Sequence, residues 1–148
     1  KMINTVLTTL FCRDLAKLKV ELESYKNETQ IWKVVGDIAN STGNLCLHLV
    51  GNLDTYIGAT LGNTGYVRDR DAEFALKDIP RSELIKRIDS TIQTIQTVVP
   101  AISEVQLKSE YPLLVLKEKT TTEYFLIHLA MHLSYHLGQV NYHRRLTA

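Results

Sequence analysis

Chain breakers are scarce: three prolines and seven glycines in 148 residues, which leaves room for long helices. Two cysteines, Cys12 and Cys46, cannot make the disulfide framework of a small secreted domain. Both fall in apolar, helix-like stretches and read as buried reduced thiols, in keeping with a cytoplasmic protein. Neither sign of charge dominates, with 17 Lys and Arg against 16 Asp and Glu. That balance gives no electrostatic hold on nucleic acid or an anionic membrane surface. No apolar run reaches the roughly 20 residues needed to cross a bilayer. The opening residues lack the basic, apolar and small-residue regions of a secretory signal. Internal repeats and low-complexity segments are also missing. Together these absences predict a single domain over 1–148, in the cytoplasm, whose partner is a small-molecule substrate and not nucleic acid or membrane.

What is present is apolar periodicity. Leu7, Leu10, Phe11, Leu15, Leu18 and Leu22 recur at three and four, which predicts an amphipathic helix over about 4–25. A short apolar piece at 31–36 follows and reads as one turn across the bundle, with Trp32 plugging an end of the core. A second helix is expected from Ser41 to about Leu61, stopped by Gly62-Asn63-Thr64-Gly65. Residues 66–74 then read as a charge-dense loop edged by aromatics. A third helix follows Pro80, with Leu84, Ile88, Ile92, Ile95, Val99 and Ile102 in near-heptad register, and ends near Pro100. The stretch 103–119 reads as a long connection with strand-like pieces at 105–107 and 113–116. Thr120-Thr-Thr-Glu123 matches a capping box, which opens a fourth helix over about 121–145. The fold class expected is all-α, a four-helix bundle.

Chemistry is suggested at one place. His128, His132 and His136 stand at intervals of four on the fourth helix, and His48 lies inside the second. A step of four residues advances a helix by about 400°, so the three imidazoles share one stripe. Histidine is the commonest metal-binding side chain near neutral pH. His128 and His136 are about 12 Å apart in rise, too far to hold one ion together. Spacing therefore leaves two pairs open, His128 with His132 or His132 with His136, with His48 the one histidine on another element able to complete a three-ligand set. Three protein ligands leave positions for water or substrate, a catalytic arrangement. The sequence contains no His-Glu-x-x-His, so the zincin reading fails.

His48, followed by His132-Leu-Ser-Tyr-His136-Leu-Gly-Gln139, resembles the DinB/YfiT-like superfamily of small helical metalloproteins, whose late motif is close to His-x-x-x-His-x-Gly-Gln. The segments from Gly43 to Asn52 and from Gly62 to Arg70 are similar to an uncharacterised branch of it. The resemblance covers nearly the whole chain. It implies a bundle in up-down-down-up order and one divalent metal, zinc or nickel, on His48, His132 and His136, with His128 outside the set. The family often carries a basic residue where this chain has Leu137.

Function follows the same resemblance. Several relatives are thiol-dependent transferases or isomerases, which implies a metal-dependent S-transferase that activates a low-molecular-weight thiol on a three-histidine site. Metal-dependent hydrolysis is the alternative, weakened because the sequence places no Asp or Glu beside the histidines. A non-enzymatic metal-binding bundle or dimerisation module is the third reading, and a homodimer is expected. Gln139 reads as a residue behind a ligand or one orienting a bound water. Arg68 reads as part of a solvated turn, or else as reaching over the pocket to an anionic substrate. Gly138 suggests close helix packing, Tyr135 a core or interface position, and Tyr142 and His143 a cap or a dimer contact.

Overall fold

The computed structural model describes residues 2–148 and is all-helical, with no strand among them beyond a single antiparallel bridge between Glu110 and Thr121. Helix α1 is Ile3–Ser24, and its apolar positions Leu7, Phe11, Leu15, Leu18 and Leu22 are all buried, as their spacing requires. A 3-10 turn at Glu28–Trp32 follows. Helix α2 opens at Ser41, whose hydroxyl accepts from the Asn44 amide. It runs as Thr42–Leu53, widens into a π-helical turn at Asp54–Ala59, and closes with Thr60–Gly62 and a left-handed Asn63. Helix α3 is Arg70–Ala75, capped by Asp69, and α4 is Arg81–Val98. The short α5, Glu104–Lys108, precedes α6, Thr122–Thr147.

Four of these helices are long and pack side by side around one apolar core. Helix α1 lies against α4 and α6, and α2 lies against the same two. At one end of α1, Asn4 Nδ2 donates to the carbonyls of Val99 at 3.1 Å and Ile102 at 3.0 Å. At the other end, Arg81 Nη1 donates to those of Leu22 at 3.0 Å and Tyr25 at 2.8 Å. Asn141 and Arg144, late in α6, both bond Glu21, late in α1. Between α2 and α6, His48 meets His132 while Tyr56 meets Phe125. Between α2 and α4, Thr91 donates to Asp54, and a side chain at Gly58 or Gly62 would run into Thr94 or Val98.

Helix α2 is the central element. Every residue from Thr42 to Leu53 is buried, polar ones included. It is covered by α4, α6, α3 and the 3-10 turn, whose Trp32 ring lies where a Gly43 side chain would be. A helix buried all round normally carries few polar groups, and those it does carry need partners. Asn44, His48 and Asn52 therefore mark where this helix departs from plain packing.

Several expectations are corrected. The charge-dense stretch 66–74 is not all loop, because Asp69 caps α3 and Phe74 and Glu73 turn inward. The 105–107 piece is helical in α5, where Ser103 supplies the cap, and 113–116 forms no strand. The cap of α6 is Thr121, one residue later than the capping box predicts, so Glu123 falls at the second helical position. Gly138 packs against nothing, with no atom within 4 Å of where its side chain would be. His143 is not a cap but a buried strut. Tyr135 is 65 % exposed, which excludes the core.

Candidate metal centre

The structure brings His48, His132 and His136 together and leaves His128 out. The ligand atoms of the three all lie within 4.8 Å of one another. The Nε2 atom of His132 is 3.1 Å from that of His136 and 3.3 Å from that of His48. Helix α6 sets the first pair by its four-residue spacing, and the crossing of α2 over α6 delivers the third. His128 lies a turn earlier, its ring stacked 6.5 Å from that of His132 and 5.8 Å from that of Phe125.

Their hydrogen bonds decide which nitrogens are available. Nδ1 of His48 is 3.1 Å from Glu73 Oε1, and an ionised carboxylate only accepts, so that nitrogen carries the proton. Nδ1 of His136 donates to Gln139 Oε1 at 2.7 Å. Both rings therefore present an unprotonated Nε2 to the centre. His132 Nε2 sits between these two lone pairs and can donate to only one of them. Its own Nδ1 is buried without a partner. In protein alone, one of the two close approaches sets lone pair against lone pair, and a buried polar atom goes unsatisfied. A cation removes the first problem. Zinc–nitrogen bonds of about 2.0–2.1 Å at right-angled to tetrahedral geometry separate nitrogens by about 2.9–3.4 Å. The two separations at His132 fall inside that interval and the third pair lies within 4.8 Å, so the three imidazoles could hold a divalent transition metal.

Burial holds the ring of His132 down to about 4, with the like charge of His136, His48, His128 and Arg68 adding to it. Burial also lowers His136, partly opposed by its bond to Gln139. Both rings are thus neutral at physiological pH, the form that ligates.

Behind His48 stands a carboxylate that reasoning from sequence missed. Glu73 is 6 % exposed, and Arg68 grips it twice, through Nε to Oε2 at 2.8 Å and Nη2 to Oε1 at 3.0 Å. Burial alone would raise its carboxyl, but the bonds from His48 and Arg68 and their charge outweigh this and leave it below the usual carboxylate range. Arg68 Nη2 also lies 3.4 Å from His48 Nδ1, but both atoms carry protons there, so Glu73 accepts from each. Arg68 is therefore not in a solvated turn: it lies over the Tyr56 ring, 5.7 Å from the centroid, and serves Glu73. Asn44 fastens α3 in place by donating to the carbonyls of Glu73 and Leu76, both at 2.9 Å. Gly51, three residues after His48, makes room, since a side chain there would overlap the Glu73 carboxylate. That mid-helix glycine, one turn from a histidine on a largely apolar stretch, is the signal that something approaches α2 closely at this level. Asn52 is buried on the same helix with its Oδ1 unpaired.

The two cysteines stand apart from the trio. Cys46 is buried and its thiol is pushed up to about 12, while Cys12 is half-buried and also raised by burial. No helix among the described residues is long and apolar enough to cross a membrane.

Residues 13–147 match the model of a family described as "Protein of unknown function (DUF1572)". No curated protein matches the chain.

Proposed function

The chain belongs to the DUF1572 family, which lies in the DinB/YfiT-like fold family, and we propose that it is a metal-dependent enzyme using His48, His132 and His136 to hold one zinc or nickel ion. The observation that carries this reading is the convergence of three imidazole Nε2 atoms, with the outer two fixed as acceptors by Glu73 and Gln139. We read the helix order as up-down-down-up. The pairings of Asn4 with Val99, Glu21 with Arg144, Phe125 with Tyr56 and Asp54 with Thr91 support that order.

The ion would supply Lewis-acid chemistry, lowering the pKa of a thiol or water so that it reacts as a nucleophile at neutral pH. The chain's own residues do the positioning. Glu73 holds the His48 ring by its Nδ1 proton and keeps Nε2 turned inward. Arg68 balances the charge of Glu73, so the carboxylate stays ionised though buried. Gln139 does for His136 what Glu73 does for His48, but with a neutral amide.

Glu73 lies on the Nδ1 side of the His48 ring, away from the converging Nε2 atoms, and is held there by Arg68, so it is not placed to take a proton from an incoming water. A thiol, with a free pKa near 8.5, needs no separate base once a cation is beside it. We therefore favour transfer of a low-molecular-weight thiol to a small electrophile over hydrolysis. The test is to assay zinc- and nickel-loaded protein with glutathione or bacillithiol and a panel of electrophiles, beside His48→Ala. A thiol-dependent rate that disappears in the variant is expected. Equal rates in the two proteins would sink the reading, and chelator-sensitive ester hydrolysis without thiol would replace it with the hydrolytic one.

A further inference from the structure

Two cavities of similar size flank the histidine trio and differ in character. The one behind Glu73, about 380 Å³, is walled by Asp54, Asp69, Glu73 and Arg87. The His48 ring and the Glu73 carboxylate stand between it and the converging Nε2 atoms. The other, about 360 Å³, lies between the start of α2, the segment before it and the second half of α6. Its walls are Val35, Ile38, Leu45, Tyr135, Tyr142 and Leu146, and no Lys, Arg, Asp or Glu lines it. His136 and Gln139 line it as well. His136 is thus shared, as a member of the trio and as a wall of the cavity.

From this we propose that the substrate is a molecule with an uncharged, apolar tail or ring that fills the second cavity and sets its reacting end beside His136. The proposal rests on the metal reading for the reacting end, but not for the tail. A charged tail would lose its hydration with no opposite charge to meet it, and that cost is large in an apolar wall. An apolar tail gains by leaving water, about fourfold in affinity for each methylene fully buried. The volume is at the lower end of the range for small-molecule sites, about 300–1,000 Å³, which suits a short chain or a single ring. The amide nitrogen of Gln139 keeps its protons, because Oε1 is the atom turned to His136. It offers a donor beside His136 in a largely apolar space, at the junction of tail and head.

The test has two arms, so that the cavity and the metal can fail separately. In metal-free protein, the methyl signals of Ile38, Leu45 and Leu146 are followed by NMR on titration with 1-hexanol and with hexanoate. Saturable shifts at these methyls with hexanol, at least tenfold weaker with hexanoate, are expected. Shifts spread evenly over the core, or equal response to both probes, would overturn the proposal whether or not the protein takes up metal. In cobalt-loaded protein, the visible spectrum is titrated with 1-methylimidazole, 1-hexylimidazole and 1-(5-carboxypentyl)imidazole. The hexyl compound is expected to bind at least tenfold more tightly than the methyl one, and the carboxylate-ended compound to lose most of that gain. Ile38→Asp, on an exposed segment, should abolish the hexyl advantage with cobalt content and 1-methylimidazole affinity intact. An advantage that survives the variant would overturn the proposal. Failure to bind cobalt at all would remove the metal reading and leave the hexanol arm to decide the cavity.

Discussion

Helix α6 carries two histidine neighbourhoods that look alike in composition and differ in what their nitrogens are doing. At His143 every polar atom is spoken for. Nε2 donates to the Lys33 carbonyl at 2.8 Å, so Nδ1 accepts from the Tyr25 hydroxyl at 2.7 Å, which in turn accepts from Thr42 at 2.7 Å. This is a closed hydrogen-bond chain that ties α1, α2, the segment after the 3-10 turn and α6 together. Two turns earlier, His132 and His136 face His48 with their Nε2 atoms turned toward one another and with one nitrogen orphaned. The first arrangement is satisfied in protein alone, whereas in the second the Nε2 atoms converge on a point where a metal ion could sit. Neither burial nor histidine count separates a strut from a ligand site. What separates them is whether the partners leave lone pairs pointing at a common point.

The sharpest break of that comparison is a pair of deletions. His132→Ala and His48→Ala should each lose stoichiometric zinc or nickel by elemental analysis, a fall in affinity of roughly 100-fold or more. His143→Ala should keep its metal. Metal retained by His132→Ala would put the site elsewhere. The reciprocal readout is stability: His143→Ala removes the acceptor of the Tyr25 hydroxyl and the donor to the Lys33 carbonyl, and should cost about 2–4 kcal/mol in urea denaturation of the metal-free protein. A change within a few tenths of a kcal/mol would show that the closed chain is not a strut.

A finer cut leaves all histidines in place. Gly51→Ala would push the Glu73 carboxylate away from His48, and Glu73→Gln would remove its charge. Each should weaken metal binding by about 10–100-fold in competition with a chromophoric chelator. Wild-type affinity in Gly51→Ala would mean that Glu73 does not orient the ring. Acid gives a gentler test. Burial holds His132 down to about 4 and His136 below its ordinary value, whereas both titrate near 6.5 unfolded. Between those limits the unfolded chain binds more protons. The metal-free protein should therefore lose melting temperature as pH falls from about 6.5 toward about 4, and His132→Ala should flatten that part of the profile. The smallest effect belongs to His128→Ala, which should change metal affinity by less than about twofold by the same competition assay, since its ring stacks on the trio without joining it.

The sequence made the long helices legible because each carries many turns of apolar repeat, and proline, glycine and asparagine mark their ends. Spacing alone narrowed the ligand pair to two choices, and the late motif pointed to the pair that the structure brings beside His48. The short α3 was not legible. Six residues carry less than two turns of periodicity, and their charges read as solvent-facing when Glu73 in fact points inward. Its tie to His48 spans 25 positions along the chain, and no local pattern announces such a contact. The roles of His143 and Gly138 are hidden from sequence for a related reason. A residue type suggests a role only after its neighbours are known.

Gly51 has a consequence that reaches beyond this one chain. Glycine is the only residue without a side-chain carbon, so every substitution at that position places an atom in the space that the Glu73 carboxylate occupies. The two positions are therefore expected to change together in descent. A lineage that acquires alanine or serine at 51 displaces the carboxylate from His48, which favours a shorter acid at 73 or its loss together with Arg68. An alignment of this family should then show 51, 68 and 73 changing as one unit, while His48 stays through every such exchange.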